Sequence, residues 1–235
     1  MELHRQVVFA SRRKNPTDMI SREADALTIR IYCIGKNYVA HIHEMNADER
    51  DPPVIFMKPV DAVVPGGGEI PYPVFTENFH YEGELVVALK SGGYNIPEDE
   101  AYSHIFGYGV GLDMTRRDHQ VGVMEKGMPW EITKAFDKSC PIGPISSVED
   151  TGHIDHHVLK TIVNGETKQE ANVDLMIWKT KEIISKISEQ YELKAGDIIM
   201  TGTPAGVGAV KSGDTLEVTC DGLEPLKVTI GGRAA

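Results

Sequence analysis

Two carboxylates, Glu82 and Glu84, stand one residue apart in the stretch FHYEGELVVAL at residues 79–89. The apolar run that follows them predicts a strand, because Val and Leu in unbroken series fit a buried sheet position. Side chains two apart on a strand share a face, so both acids would leave the core edge together. Like charges that close repel, and burying either one is costly. A divalent cation with oxygen ligands, Mg2+, Mn2+ or Ca2+, would relieve both costs. Two solvent-facing acids on an exposed strand would produce the same spacing. Asp113 is the natural third ligand, since it ends a second predicted strand, GYGVGLD, just before a predicted helix. It would serve equally as a plain helix cap.

Other polar residues add chemistry. In NYVAHIHEM, His41 and Glu44 are three apart, neighbours on one face of a short predicted helix. A carboxylate beside an imidazole raises its basicity, and a water held by the pair becomes a nucleophile. A surface pair of the same composition is the plain alternative, and His43 offers a competing partner. Lys58 in FMKP and Lys134 in ITKAF sit in apolar stretches, where an ammonium needs an anionic partner or extends its head to solvent. TGTPAGVG, residues 201–208, predicts a turn of hydroxyls and backbone N–H groups suited to an anion. It lacks the lysine of a nucleotide-binding loop, and no GxGxxG or GxSxG motif is placed to support dinucleotide or serine-hydrolase chemistry.

The elements that must position these groups are mostly strands. Strands are expected at residues 7–10, 29–34, 54–59, 79–89 and 106–114, and in a terminal hairpin around Asp221-Gly222. Short helices are expected at YVAHIHEMN, PEDEAYSHI and TRRDHQVGVMEKG, the last with Thr115 as N-cap. A longer one is expected at TKEIISKISEQYEL, with Ile183, Ile184, Ile187 and Tyr191 inward. Glycines alternate in FGYGVGLDM, which predicts close approach by another segment or a ligand. Strands and helices do not alternate regularly, so the fold class is α+β, mostly β. Residues 1–27 are expected to be an extension and 28–235 one catalytic domain.

Composition narrows the partners. The 235 residues carry a formal net charge of −11, which excludes a nucleic-acid footprint and gives no attraction to an anionic membrane. No apolar run is long enough to span a bilayer, and the N-terminus lacks the apolar core of a secretory signal. Three scattered cysteines without metal spacing predict reduced thiols and a cytoplasmic protein.

Taken in order, the blocks IGKNYVAHIHEM, VIFMKP, FHYEGEL, GYGVGLDMTRRDHQ, KGMPWEITKAFDKSCPIGP, VNGETKQ, DLMIW and LKAGDIIMTGTPAGVG resemble the fumarylacetoacetate hydrolase family over about residues 30–230. The resemblance implies a mixed β-roll, a homodimer, and one Mg2+ or Mn2+ held by Glu82, Glu84 and Asp113. It implies cleavage of a C–C bond in 2,4-dioxo acids, with oxaloacetate decarboxylation or 2-hydroxydienoate isomerisation as alternatives on the same site. His41 and Glu44 match the family's catalytic dyad; Lys134 matches a substrate-binding position, from which its charge would stabilise a developing oxyanion. Arg117, Gln120 and Thr203 match substrate-binding positions, and Lys58 a pocket lysine. Within the family, DMTRRDHQ and KGMPW are most similar to the acylpyruvase branch, the fumarylpyruvate hydrolases. One departure is the triplet His80-Tyr81-Glu82, where many members carry a second histidine. Tyr81 is expected to point away from the ligands.

Overall fold

The structure is a computed structural model that describes residues 30–38 and 52–233. The expected N-terminal extension, the strand at residues 7–10 and the helix after Tyr38 lie outside the described residues.

The chain is mostly β, as its patterning predicts. The large sheet contains β1 (Ile31–Gly35), β2 (Val54–Lys58), β3 (Val63–Pro65), β6 (Gly83–Leu89), β7 (Ile105–Leu112), β9 (Cys140–Ile142) and β13 (Ile198–Met200) in the order β2-β1-β13-β6-β7-β9-β3, with β10 (Ser146–Ser147) beside β7. A second sheet runs β12-β11-β15-β16-β4, from β12 (Glu166–Asn172), β11 (Val158–Val163), β15 (Thr215–Cys220), β16 (Leu226–Arg233) and β4 (Gly68–Tyr72). A small sheet joins β14 (Gly208–Ala209), β5 (Phe79–Tyr81) and β8 (Thr115–Arg116). The helices are short: α1 (Arg117–Glu125), α2 (Glu131–Lys134), α3 (Val148–Thr151) and α4 (Thr180–Ser188).

Alternation along β6 explains the layering. Leu85, Val87 and Leu89 join one buried cluster with Leu159, Leu216 and Val218 of the second sheet. Val86 and Ala88 face the other way, into a cluster with Cys33, Cys140 and Met200. Burying side chains on both faces contributes roughly 1.5–3 kcal/mol for each large one, so β6 is a continuous apolar run rather than an alternating one. The glycines of β7 do mark a close approach: a Cβ at Gly107 would lie 2.0 Å from the carbonyl of Ser146 in β10.

Several local expectations change. FHYEGELVVAL is two strands, because the backbone leaves the small sheet after Tyr81 and enters the large sheet at Gly83. Glu82 sits at the crossing point. PEDEAYSHI forms only a 3-10 turn at Ala101–His104, too short to hold an α-helix by local bonds. Thr115 is not an N-cap: it pairs with His80 in β8, and α1 starts two residues later without a side-chain cap. The terminal hairpin forms between β15 and β16, with a turn longer than the two-residue Asp221-Gly222 form. In α4, Ile183, Ile184 and Ile187 are buried, whereas Tyr191 lies past its end and packs on Tyr32 with ring centres 5.4 Å apart.

Candidate active site

Four neighbouring strands of the large sheet end at one place. β1 and β13 run parallel, β6 runs antiparallel to β13, and β7 antiparallel to β6. The last residues of β1, β13 and β7 and the first of β6 therefore meet at a single edge. Sites collect where strands give way to loops, and this edge gathers Gly35–Lys36, Thr201–Thr203, Glu82–Glu84 and Asp113.

Glu82, Glu84 and Asp113 each place a carboxylate oxygen within 4.8 Å of the other two. They are 6%, 2% and 1% exposed, so the solvent-facing reading of the acid pair is excluded. Asp113 is not a simple helix cap either. Its backbone N–H donates to the Glu82 carbonyl at 2.8 Å, which ties the two ligand segments together.

The cations around the trio are unequally shared. Lys134 Nζ donates to Glu82 Oε2, Asp113 Oδ2 and Thr115 Oγ1, each at 2.7 Å. Burial would lower the ammonium pKa, but Asp113 and Glu82 outweigh it and raise it. Arg117 donates to Glu82 Oε1 and to Gln120 Oε1. Burial opposes ionisation of Glu82, yet Lys134 and Arg117 hold its pKa at about 2. Lys58 Nζ lies 2.8 Å from Asp113 Oδ1, an ion contact without hydrogen-bond direction, and donates to Ser139 Oγ at 3.0 Å.

Glu84 has no ion pair of this kind among the described residues. The hydrogen bond to its carboxylate among the described residues comes from the backbone N–H of Gly202, at 2.8 Å. Burial, then Asp113 and Glu82, push its pKa well above the ordinary carboxylate value. A buried acid with one neutral donor and two acids beside it is an arrangement that a divalent cation would stabilise. The donor set is all oxygen, which suits Mg2+ or Mn2+.

Other expected residues divide into two groups. Arg117, Gln120, Lys134 and Thr203 line a common cleft with Glu82 and Asp113. Lys58 stands behind Asp113, fully withdrawn from solvent, and does not line that cleft. His41 and Glu44 lie outside the described residues. Tyr81 does turn away from the ligands, donating its hydroxyl to the Gly206 carbonyl at 2.9 Å. His80 takes up the adjoining role: its Nδ1 accepts from Arg117 Nε at 3.4 Å while Nε2 pairs with Asn78 Oδ1 at 2.9 Å. Burial, then the Arg117 charge, lower its pKa to about 4, so the ring is neutral and accepts from the guanidinium.

Sequence reasoning missed several supports. Gln169, on β12, accepts from Gly83 N–H at 3.0 Å and donates to Thr203 Oγ1 and the Pro204 carbonyl, both at 2.8 Å. Thr203 in turn donates to the Gly83 carbonyl at 2.9 Å. The residue between the two glutamates is thus fastened to the second sheet and to the 201–208 turn. A Cβ at Gly83 would lie 1.9 Å from Thr161 Oγ1, so only glycine fits there. Gly202 adopts φ +96°, which aims its N–H at Glu84. Asn37 donates to the carbonyls of Trp178 and Thr201 at 3.0 and 2.7 Å and accepts from Trp178 N–H at 2.8 Å. Only a buried Asn or Gln beside strand-end motifs hints at such braces in a sequence.

Comparison with known proteins gives the family of the chain. A family profile described as fumarylacetoacetate (FAA) hydrolase C-terminal matches residues 30–231. A crystal structure of fumarylpyruvate hydrolase from Pseudomonas aeruginosa in complex with Mn2+ and pyruvate is 44% identical with a TM-score of 0.86, covering 96% of this chain and 94% of that one. The fumarylpyruvate hydrolase of a Ralstonia species is 40% identical over 176 residues, 75% of this chain and 91% of that protein. The mitochondrial oxaloacetate tautomerase FAHD1 of Rattus norvegicus is also 40% identical, over 202 residues, 85% of this chain and 90% of that protein. Among the described residues no helix is long and apolar enough to cross a membrane, and Cys33, Cys140 and Cys220 are free and buried. This chain belongs to the fumarylacetoacetate hydrolase family of enzymes.

Proposed function

We propose that this chain is a divalent-cation-dependent hydrolase of 2,4-dioxo acids, with fumarylpyruvate, cleaved to fumarate and pyruvate, as its leading substrate. The observation that carries the reading is Glu84: a buried carboxylate without an ion-pair partner among the described residues, completing an all-oxygen trio with Glu82 and Asp113. A bound Mg2+ or Mn2+ supplies Lewis acidity to the 2-oxo acid end of the substrate.

The chain's own groups divide the remaining work. Glu44 orients His41, which takes a proton from water as that water attacks the 4-carbonyl. Lys134 faces the developing oxyanion; its three donors now rest on Glu82, Asp113 and Thr115, and it stays cationic because those acids raise its pKa. Arg117, held by His80 and Gln120, and Thr203, held by Gln169, orient the substrate. The C3–C4 bond breaks, the electron pair stays on C3, and a proton there completes pyruvate while the acyl part leaves as a carboxylic acid. A homodimer acting in the cytoplasm is part of the proposal and is checked by light scattering and by fractionation.

A second reading is favoured by one specific observation: the rat relative at the same 40% identity is named an oxaloacetate tautomerase. That reaction needs only a proton moved between carbon and oxygen, without attack by water. The test follows loss of the diketo-enol absorbance of fumarylpyruvate and acetylpyruvate, with Mn2+ and with EDTA. Oxaloacetate runs beside them, followed for enol absorbance and for pyruvate release. Rapid Mn2+-dependent loss of fumarylpyruvate is expected. Oxaloacetate enol–keto exchange with both diketo acids untouched would overturn the hydrolase and leave the tautomerase, and pyruvate release from oxaloacetate would instead mark a decarboxylase.

A further inference from the structure

The cleft holds one more cation than its chemistry has used. Lys36, Arg117 and Lys134 all line it. Arg117 is paired with Glu82, and Lys134 with Glu82 and Asp113. Lys36 is half-buried and has no carboxylate partner among the described residues. An ammonium partly withdrawn from water without an anion is an unfilled position.

The backbone around it is over-determined. Lys36 has φ +59°, the left-handed region, which costs an L residue with a Cβ. The strain is held from both sides. Gly35 ends β1 with Trp130 packed against it, where a Cβ would lie 3.2 Å from Trp130 Cζ3. Asn37 is locked by its three hydrogen bonds to Trp178 and Thr201. Backbone strain of this kind clusters at ligand sites, and here it coincides with a cation lining the cleft. Beside it, Phe56 and Trp130, with ring centres 5.5 Å apart, give the same cleft an apolar wall.

We infer that Lys36 is a specificity-determining residue that receives a second carboxylate, at the substrate end remote from the 2-oxo acid. The inference rests on the proposed 2-oxo acid site and names its substrate class: dicarboxylic acids with a short hydrocarbon segment between a 2-oxo acid end and a terminal carboxylate. The 2-oxo acid end lies by Lys134 and the divalent cation that the carboxylate trio would hold, the aromatic wall covers the segment, and Lys36 neutralises the other end.

Two arms test this on the full chain, comparing the unmodified protein, Lys36→Met and Lys36→Arg. The first measures kcat/KM for fumarylpyruvate against acetylpyruvate, which lacks the terminal carboxylate. Lys36→Met should lower the preference for fumarylpyruvate roughly tenfold to a hundredfold. Acetylpyruvate turnover should hold within about twofold, and Lys36→Arg should restore the preference in part. The second arm needs no turnover: calorimetric binding of 2-oxoheptanedioate and 2-oxoheptanoate to the Mn2+-loaded protein, two ligands of the length of fumarylpyruvate that differ in the terminal carboxylate. The unmodified protein should prefer 2-oxoheptanedioate and Lys36→Met should not. An equal loss for both members of a pair, or an unchanged preference, overturns the role of Lys36. If neither diketo acid is turned over, the hydrolase reading fails, and the binding arm still decides whether Lys36 selects dicarboxylates.

Discussion

Replacing Glu84 by Gln tests the central claim about the site, because the substitution keeps shape and removes charge. Gln retains an oxygen to accept from Gly202 N–H, so the fold loses no hydrogen bond. The loss is one anionic ligand. Each unit of the cation's charge interacts with a carboxylate about 4 Å away by about 4 kcal/mol at an effective dielectric of 20, so loss of the carboxylate should cost at least roughly three powers of ten in cation affinity. In the unmodified protein, Mn2+ at about 100 times its Kd adds about 2.7 kcal/mol of stability. For a chain of 235 residues, at about 2–4 °C per kcal/mol, that raises Tm by roughly 5–11 °C. At the same Mn2+ concentration the Gln variant should gain less than about 1 °C. The metal-free proteins should differ in the opposite sense. Glu84 carries a pKa raised on folding, so the folded state holds a proton that the unfolded state has released. Metal-free stability therefore falls as pH rises above the ordinary carboxylate range, and Glu84→Gln should abolish that slope. The assay is differential scanning calorimetry at pH 6 and pH 8, with Mn2+ and with EDTA, supported by Mn2+ electron paramagnetic resonance. A Gln variant that keeps the full Mn2+ increment would refute the ligand assignment. A metal-free Gln variant far less stable than the metal-free parent would show that a cation already balances Glu84 in the folded chain.

Three further outcomes follow from the supports. Gly83→Ala places a Cβ 1.9 Å from Thr161 Oγ1, so it should cost about 1–3 kcal/mol or more by overpacking; adding Thr161→Ala should recover part of the loss in urea unfolding. Gln169→Leu removes three hydrogen bonds and strands the Gly83 N–H. A loss of roughly 2–4 kcal/mol is expected, with a rise in KM larger than the fall in kcat, and an unchanged KM would separate Gln169 from Thr203. Asp118 accepts from Thr76 Oγ1 at 2.5 Å, Glu77 N–H at 2.9 Å and His119 N–H at 3.0 Å. Burial would raise its pKa, but these bonds lower it, so its stabilisation is present above about pH 4 and lost as pH falls below it. Asp118→Asn should flatten that part of the acid-unfolding curve, and an unchanged acid limb would show that these bonds do not persist in solution.

Part of the site was legible because the information is local. The one-residue spacing of Glu82 and Glu84 before an apolar run, and Asp113 at the end of a glycine-rich strand, mark a strand edge and a chemistry at once. The mostly β class follows from patterning alone. Periodicity could not show that the chain changes sheets between Tyr81 and Gly83, because both strands are apolar and only their partners differ. The 3-10 turn at Ala101–His104 and the pairing of Thr115 were misread for a similar reason. Local helix signals are weak, and sheet pairing and the demand of Lys134 for an acceptor override them.

What the sequence by itself determined is the inventory: three acids for a cation, buried lysines that require anions, and a polar turn at residues 201–208. What only the tertiary structure decided is the allocation of partners. Lys134 takes Glu82 and Asp113, Lys58 stands behind Asp113, Gln169 bridges β12 to Gly83 86 positions away in sequence, and Lys36 has no carboxylate partner among the described residues. The physical reason is range. Side-chain types and strand periods are written within a few residues, whereas desolvation and ion pairing depend on which strand ends the sheet brings to one edge.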